Sequence, residues 1–217
     1  MANLITPFEV QKYSPAGSTY PTAQFCELIP QIEQDFARQC LGSELYQYLQ
    51  DSLTPYPATA TEYNPATTYN IDEIVIRNGC LFISETNGNT TDPLKATGDW
   101  SEFERFTTDG ANQLWAGYLR RILALKVYTS SLTFSTWQSG AGGITVNAGD
   151  GVGIRSATRT ERFDLKNGML NMVEVATGNM LEWLKNNGET LEIPLPPSCK
   201  NNCRTRGKHS RRWAWQY

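Results

Sequence analysis

The sequence predicts a mainly α protein: a helical bundle with an inserted small β-module, a glycine-rich β-hairpin and an extended C-terminal tail. Three observations lead there. Helical periodicity breaks off near Leu53 and resumes near Thr108. Between those points tyrosine, threonine, asparagine and glycine rise while helix formers fall. Later, Gly140, Gly142, Gly143, Gly149, Gly151 and Gly153 crowd one short span between two long helical patterns. The organisation expected is residues 1–55 as an arm and first helices, 56–107 as the inserted module, 108–193 as the rest of the helical domain with its hairpin at 139–155, and 194–217 as the tail.

At the N-terminus, residues 1–20 contain Pro7, Pro15 and Gly17 without clear periodicity and read as an extended arm. Thr22 is placed to cap a helix. Phe25, Leu28, Ile29, Ile32 and Phe36 then recur at steps of three and four, one face of that helix. Pro30 falls inside the pattern, so the helix is kinked there or begins near it. Gly42 sits where a closing glycine would, and Ser43 would cap a short second helix through Leu49.

In the module, Glu73–Arg77 and Cys80–Ser84 read as strands joined by Asn78-Gly79. That dipeptide suits a two-residue hairpin turn, whose central positions both take positive φ. At most three strands are expected. Helical periodicity returns at Ala111, where Leu114, Tyr118, Ile122 and Leu125 share a face. In the glycine-rich span, Ile144–Val146 and Val152–Ile154 are the segments able to pair as a hairpin. The last helix runs from about Thr158 to Asn187, with Met169, Val173, Ala176, Met180 and Leu184 on one face. Core packing or a seam between subunits explains its methionines and Trp183 better than a cofactor box. Pro194, Pro196 and Pro197 then impose an extended path, and Ser198–Tyr217 is expected to order only on a partner.

Composition limits the functional classes. With 217 residues, 40% hydrophobic and 19% charged, the chain can bury one sizeable core plus a small module. Apolar runs such as Ile122–Val127 are far shorter than the roughly 20 residues of a membrane span. Met1-Ala2-Asn3-Leu4 has no basic or long apolar region, so no Sec-type signal peptide is expected. Five cysteines at irregular spacing do not read as a disulfide framework, and free thiols in a reducing compartment are the simpler reading. Cys199, Cys203 and His209 offer three ligands where structural zinc takes four, so no metal site is assigned.

No catalytic centre stands out. His209 is the only histidine, and it lies in the tail, where a triad would lack a rigid base. Glu27, Glu33 and Asp35 read as the solvated face of the first helix, and Asp72 and Glu73 as strand flanks. The glycines form neither a dinucleotide fingerprint nor a phosphate loop. The chain is therefore read as a non-enzyme without a cofactor. The tail is the clearest binding signal. After Glu192 come six basic residues and no acidic one, while the first 192 residues carry 13 basic against 22 acidic. Arg204, Arg206, Lys208, Arg211 and Arg212 are followed directly by Trp213, Trp215 and Tyr217. Arginine beside aromatic anchors suits a protein interface first and single-stranded nucleic acid second.

Two resemblances add to this reading. Tyr63, Tyr69, the Ile74–Ile76 strand, Gly79, Phe82, Pro93 and Trp100 follow in the order found in the small carbohydrate-binding modules of chitinases. That family presents paired tryptophans after the return strand, where this chain has Glu85-Thr86-Asn87. The resemblance implies the module's fold and leaves Tyr63, Tyr69, Phe82 and Trp100 as either sugar-facing or core aromatics.

The second resemblance rests on Leu41-Gly42-x-x-Leu45-Tyr46-x-x-Leu49, the hairpin between two long helices and the extended tail. Together these resemble the head–tail connector, or adaptor, proteins of tailed bacteriophages, closest to those of phages of Bacteroidetes such as the crAss-like group. The resemblance implies a small helical bundle in a homo-oligomeric ring of about twelve copies. It implies that the basic tail anchors on the portal protein, and that the hairpin reaches distal neck or tail proteins or lines a channel for genomic DNA. It implies location at the head–tail junction of the virion, with assembly in the host cytoplasm and no membrane contact. The alternative is a carbohydrate-binding virion accessory that uses the inserted module.

Overall fold

The computed structural model describes residues 3–15, 23–95, 98–135, 145–147, 154–156 and 159–200. The arm is not extended. Pro7–Tyr13 form α1, and the reason is local. Thr6 Oγ1 accepts the Glu9 N–H at 3.2 Å while Glu9 Oε2 accepts the Thr6 N–H at 2.8 Å, a reciprocal capping box. Pro7 sits at the first helical position, where its missing N–H costs nothing. Leu4, Ile5 and Val10 bury against the helical core.

α2 spans Ala23–Phe36 and passes through Pro30. Pro30 lies on the exposed side, so the carbonyl it leaves unpaired has water available. The expected capping residue Thr22 lies outside the described residues. A π-helical turn, Ala37–Leu41, joins α2 to α3, Gly42–Asp51. Gly42 has φ +75°, and its N–H donates to the Ala37 carbonyl. A Cβ there would stand 2.6 Å from Pro197 Cδ, so both the backbone and the close approach require glycine. Gly42 thus links two helices and opens the second. Ser43 lies inside α3 and does not cap it.

The host resumes with α4, Asp109–Leu114, a second π-helical turn at Trp115–Leu119, and α5, Arg120–Ser135. α5 is the centre of the domain and packs on α1, α2 and α6. Its residues Ile122, Leu123, Ala124, Leu125 and Val127 are all buried. From Ile122 to Val127 only Lys126 is partly exposed, so this stretch is buried on nearly every side. α6, Arg159–Asn187, covers α5 with Met169, Val173, Met180 and Leu184. Tyr118 packs on Trp183 with ring centroids 5.5 Å apart. The proline-rich stretch after Ile193 is not extended throughout: Pro197–Lys200 form a short α7. The Cys199 thiol donates to the Leu181 carbonyl of α6 at 3.4 Å, so Cys199 belongs to the packed domain.

The module is a sheet of four strands, one more than expected: β1, Thr61–Glu62; β2, Ile74–Arg77; β3, Cys80–Ser84; β4, Trp100–Glu102. Their order is β1-β2-β3-β4, with β1 parallel to β2 and the other pairs antiparallel. The extra strand has two residues, too short for alternation to reveal. Asn78 and Gly79 have φ of 53° and 75°, as the hairpin turn requires. β5, Thr145–Asn147, pairs antiparallel with β6, Ile154–Ser156. The glycine-rich span therefore does contain a hairpin, with pairing nearer its C-terminal side than Ile144–Val146 on Val152–Ile154.

Candidate interaction surfaces

The chain leaves the host at Leu53 and returns opposite it at Phe106, an antiparallel bridge. The Thr54 N–H donates to the Arg105 carbonyl at 3.0 Å, and the Thr107 N–H to the Ser52 carbonyl at 2.8 Å. The mouth of the insertion is thus a hydrogen-bonded neck. Phe106 is fully buried there, edge-on to Trp115 at 5.8 Å.

A charged cluster surrounds this neck. Arg105 Nη2 donates to the Asn3 and Leu4 carbonyls at 2.9 and 3.0 Å. The Ile5 N–H donates to Glu33 Oε1 at 2.9 Å. Glu33 is not on a solvated face; it is 3% exposed. It lies four residues after Ile29 and three before Phe36, on the apolar side of α2, and that spacing is the signal missed. Glu27 and Asp35 are exposed. Burial pushes the Glu33 carboxyl up to about 7, against the Leu4 and Ile5 amides and Arg105, with Glu9 reinforcing the rise. Burial also raises Glu9, opposed by Arg105 and by bonds from Thr6. For Glu102, burial works upward, but hydrogen bonds and charge from Lys12 and Arg120 hold the carboxyl below its ordinary range.

Between module and host, Glu9, Lys12, Cys80, Glu102, Arg105 and Arg120 line a cavity of about 180 Å³. That is below the roughly 300 Å³ of ordinary ligand pockets and suits a few waters. Burial and the nearby Glu9 charge push the Cys80 thiol up to about 11, so it is a poor nucleophile. Among the described residues no cluster of three or more histidine, cysteine, aspartate or glutamate side chains could hold a metal.

The four module aromatics come together. Tyr63 stacks on Tyr69 at 5.8 Å, and Trp100 meets both edge-on at 6.4 and 5.4 Å. Val75 and Phe82 complete the cluster. Arg77 lies over the Tyr63 ring at 5.1 Å and pairs with Asp92 at 3.2 Å. Tyr63, Tyr69 and Phe82 are buried and Trp100 is half-buried. Trp100 Nε1 donates to the Thr91 carbonyl at 2.9 Å. These side chains form the module's core. Phe82 and Trp100 also line an open groove of about 410 Å³ with Gln11, Lys12 and Lys95.

The outer side of α6 is apolar. Phe163 and Val175 are 62% and 60% exposed, and Leu165, Leu170 and Met172 accompany them. Leu165, Gly168, Met172, Val175 and Asn179 follow at steps of three and four, beside a groove of about 360 Å³ that also involves Arg121 and Leu125. The stripe at Met169–Leu184 faces the core, so α6 has two apolar sides, and among the described residues only one of them is covered. The tail residues Arg204, Arg206, Lys208, Arg211, Arg212, Trp213, Trp215 and Tyr217, with Cys203 and His209, lie outside the described residues. So do most residues of the glycine-rich span.

Compared with models of protein families, with curated proteins and with solved structures, the chain matches none. No helix among the described residues is long and apolar enough to cross a membrane.

Proposed function

We propose that this chain is a structural head–tail connector of a phage virion, forming a ring that joins the portal to the tail or neck, with no catalytic role. The observation that carries the reading is the uncovered apolar side of α6. A 29-residue helix with exposed Phe163, Met172 and Val175 beside a covered core stripe is suited to pack against another copy. The resemblance through Leu41–Leu49 supplies the class. In this reading the basic aromatic tail anchors on the portal and the glycine-rich hairpin reaches the distal neck or the DNA channel. Immunogold labelling of virions with an antibody against the chain tests it. Label at the head–tail junction is expected; particles without label there overturn it.

A second reading has one observation in its favour, the groove lined by Trp100 and Phe82. It makes the chain a carbohydrate-binding accessory. Retention of the full chain on chitin beads, lost in Trp100→Ala, is the expected result. Free passage through the beads rejects it.

A further inference from the structure

The two faces of the module's sheet differ. Val75, Phe82 and Trp100 lie on the face that carries the aromatic core. Ile74 pairs with Ile83 and Ile76 with Leu81, so these four share the opposite face. Leu81 is buried, but Ile74, Ile76 and Ile83 are half-buried and belong to neither hydrophobic cluster. Glu62 stands in register with Ile76, and Glu85 accepts a hydrogen bond from Ser101, the partner of Ile83. Both carboxylates are exposed. This face is therefore aliphatic at its centre and acidic at two edges. Residues 56–107 hold eight acidic against three basic residues, a net of -5.

One segment of the chain has the complementary chemistry. Residues 201–217 contain five basic residues, no acidic one, and Trp213, Trp215 and Tyr217. They leave from α7, which is held by Pro197 over Gly42 and by Cys199 on α6. Seventeen extended residues reach about 55 Å. A domain of this size has a radius of gyration of about 17 Å, so the module lies within reach.

We propose that in the free subunit residues 201–217 dock on the aliphatic face of the inserted sheet of the same chain, at half-buried Ile74, Ile76 and Ile83 and away from Leu81, which lines the cavity against the host. Trp213 and Trp215 cover Ile74, Ile76 and Ile83, while the arginines meet Glu62 and Glu85. Docking sets indole rings against aliphatic side chains and neutralises part of the module's charge. A partner that takes the tail must then displace it from the module. The inference does not depend on the connector reading, because it concerns the subunit before any partner binds.

Trypsin cleavage of the tail in the full chain, at Arg204 through Arg212, tests it. Glu62→Gln/Glu85→Gln should speed tail cleavage several-fold, because it removes the carboxylates that hold the arginines, and neither change adds a trypsin site. Ile76→Thr/Ile83→Thr should do the same while keeping β-branched residues in the strands, with hydrogen exchange at Val75 and Phe82 reporting that the module stays folded. Glu174→Gln/Glu182→Gln on α6 should leave the rate unchanged. Equal rates for the wild type and the Glu62/Glu85 variant overturn the proposal. So does a faster rate in the α6 variant, or a wild-type rate that rises on dilution, which would place the tail on another copy.

Discussion

The helical domain and the inserted module solve the problem of burial by different means. The host wraps α1, α2 and α6 around α5 and buries a continuous set of aliphatic side chains. The module has a small aromatic cluster: among the described residues Tyr63, Tyr69, Val75 and Phe82 form its buried part, with Cys80, Leu94 and Trp100 at their margin. It compensates with polar bonds. Asn89, itself buried, ties Ser84, Thr91 and Asp99 together, and Arg77 closes the aromatic stack on Tyr63. It also leans on the host through Thr6 and Cys80, Lys12 and Glu102, and Arg105 with the Asn3 and Leu4 carbonyls. Apolar burial is non-directional and scales with area, so a large core tolerates local imperfection. A small core held by directional bonds does not. The two regions should therefore respond differently to damage.

The largest effect is expected in the host. Leu119 ends the second π-helical turn and is fully buried. Leu119→Ala should cost about 4 kcal/mol, from lost transfer energy and a residual cavity. Because the module's neck closes on Phe106, beside Trp115, that loss should appear in both regions. Urea unfolding followed by far-ultraviolet circular dichroism and by hydrogen exchange of module amides should give one shifted midpoint. A module that keeps its midpoint while the helices lose theirs would show that it needs no host.

Next comes the boundary, where Glu33 holds the arm that supports the neck. Its folded carboxyl titrates at about 7, above the ordinary value of 4.5. A raised folded value means that the folded state binds the proton more tightly. The associated stability is present in full below about pH 4.5 and is lost as pH rises through about 7. That difference is on the order of 3 kcal/mol. Glu33→Gln keeps an acceptor for the Ile5 N–H and cannot ionise. Relative to the wild type, the variant should gain stability between pH 5 and pH 8, measured by urea unfolding at both. Glu9 and Glu33 repel one another, so removing the Glu33 charge eases Glu9 as well and adds to the same trend. Parallel pH profiles would mean that the Glu33 carboxyl is not the group responsible.

Much of this architecture is legible in the sequence, and the rest is hidden for separate physical reasons. The break at Leu53, the return near Thr108, the Asn78-Gly79 turn and the inner stripe of α6 all follow from periodicity or turn chemistry. Residues 1–20 show no clear periodicity, which points to an extended arm, yet Thr6-Pro7-Phe8-Glu9 carries a proline-first capping box that sets α1. The charge of Glu33 points to solvent, whereas its place between Ile29 and Phe36 points to the core. β1 has two residues and a parallel partner, and only tertiary pairing creates it. The outer side of α6 was harder to read for another reason. Leu165, Met172 and Val175 have helical spacing, but spacing does not say which of two apolar stripes the core takes. Only the packing of α5 on the Met169–Leu184 stripe separates them.

The smallest effect sharpens the comparison most, because it asks whether the module unfolds alone. Asn89 Nδ2 donates to Ser84 Oγ at 3.1 Å and to the Asp99 carbonyl at 2.9 Å, while Asn89 Oδ1 accepts from Thr91 N and Oγ1 at 3.0 and 2.8 Å. Asn89→Ala leaves these partners partly unsatisfied in a buried place and should cost about 2 kcal/mol. If the module opens as its own unit, exchange at the Val75 and Phe82 amides should quicken about 30-fold, the factor that this energy implies. Exchange across Leu119–Val127 should not change, because α5 keeps every contact it has. Equal acceleration in both places would mean that the neck at Leu53 and Phe106 transmits the damage, and the two regions would then be one cooperative unit with two styles of core.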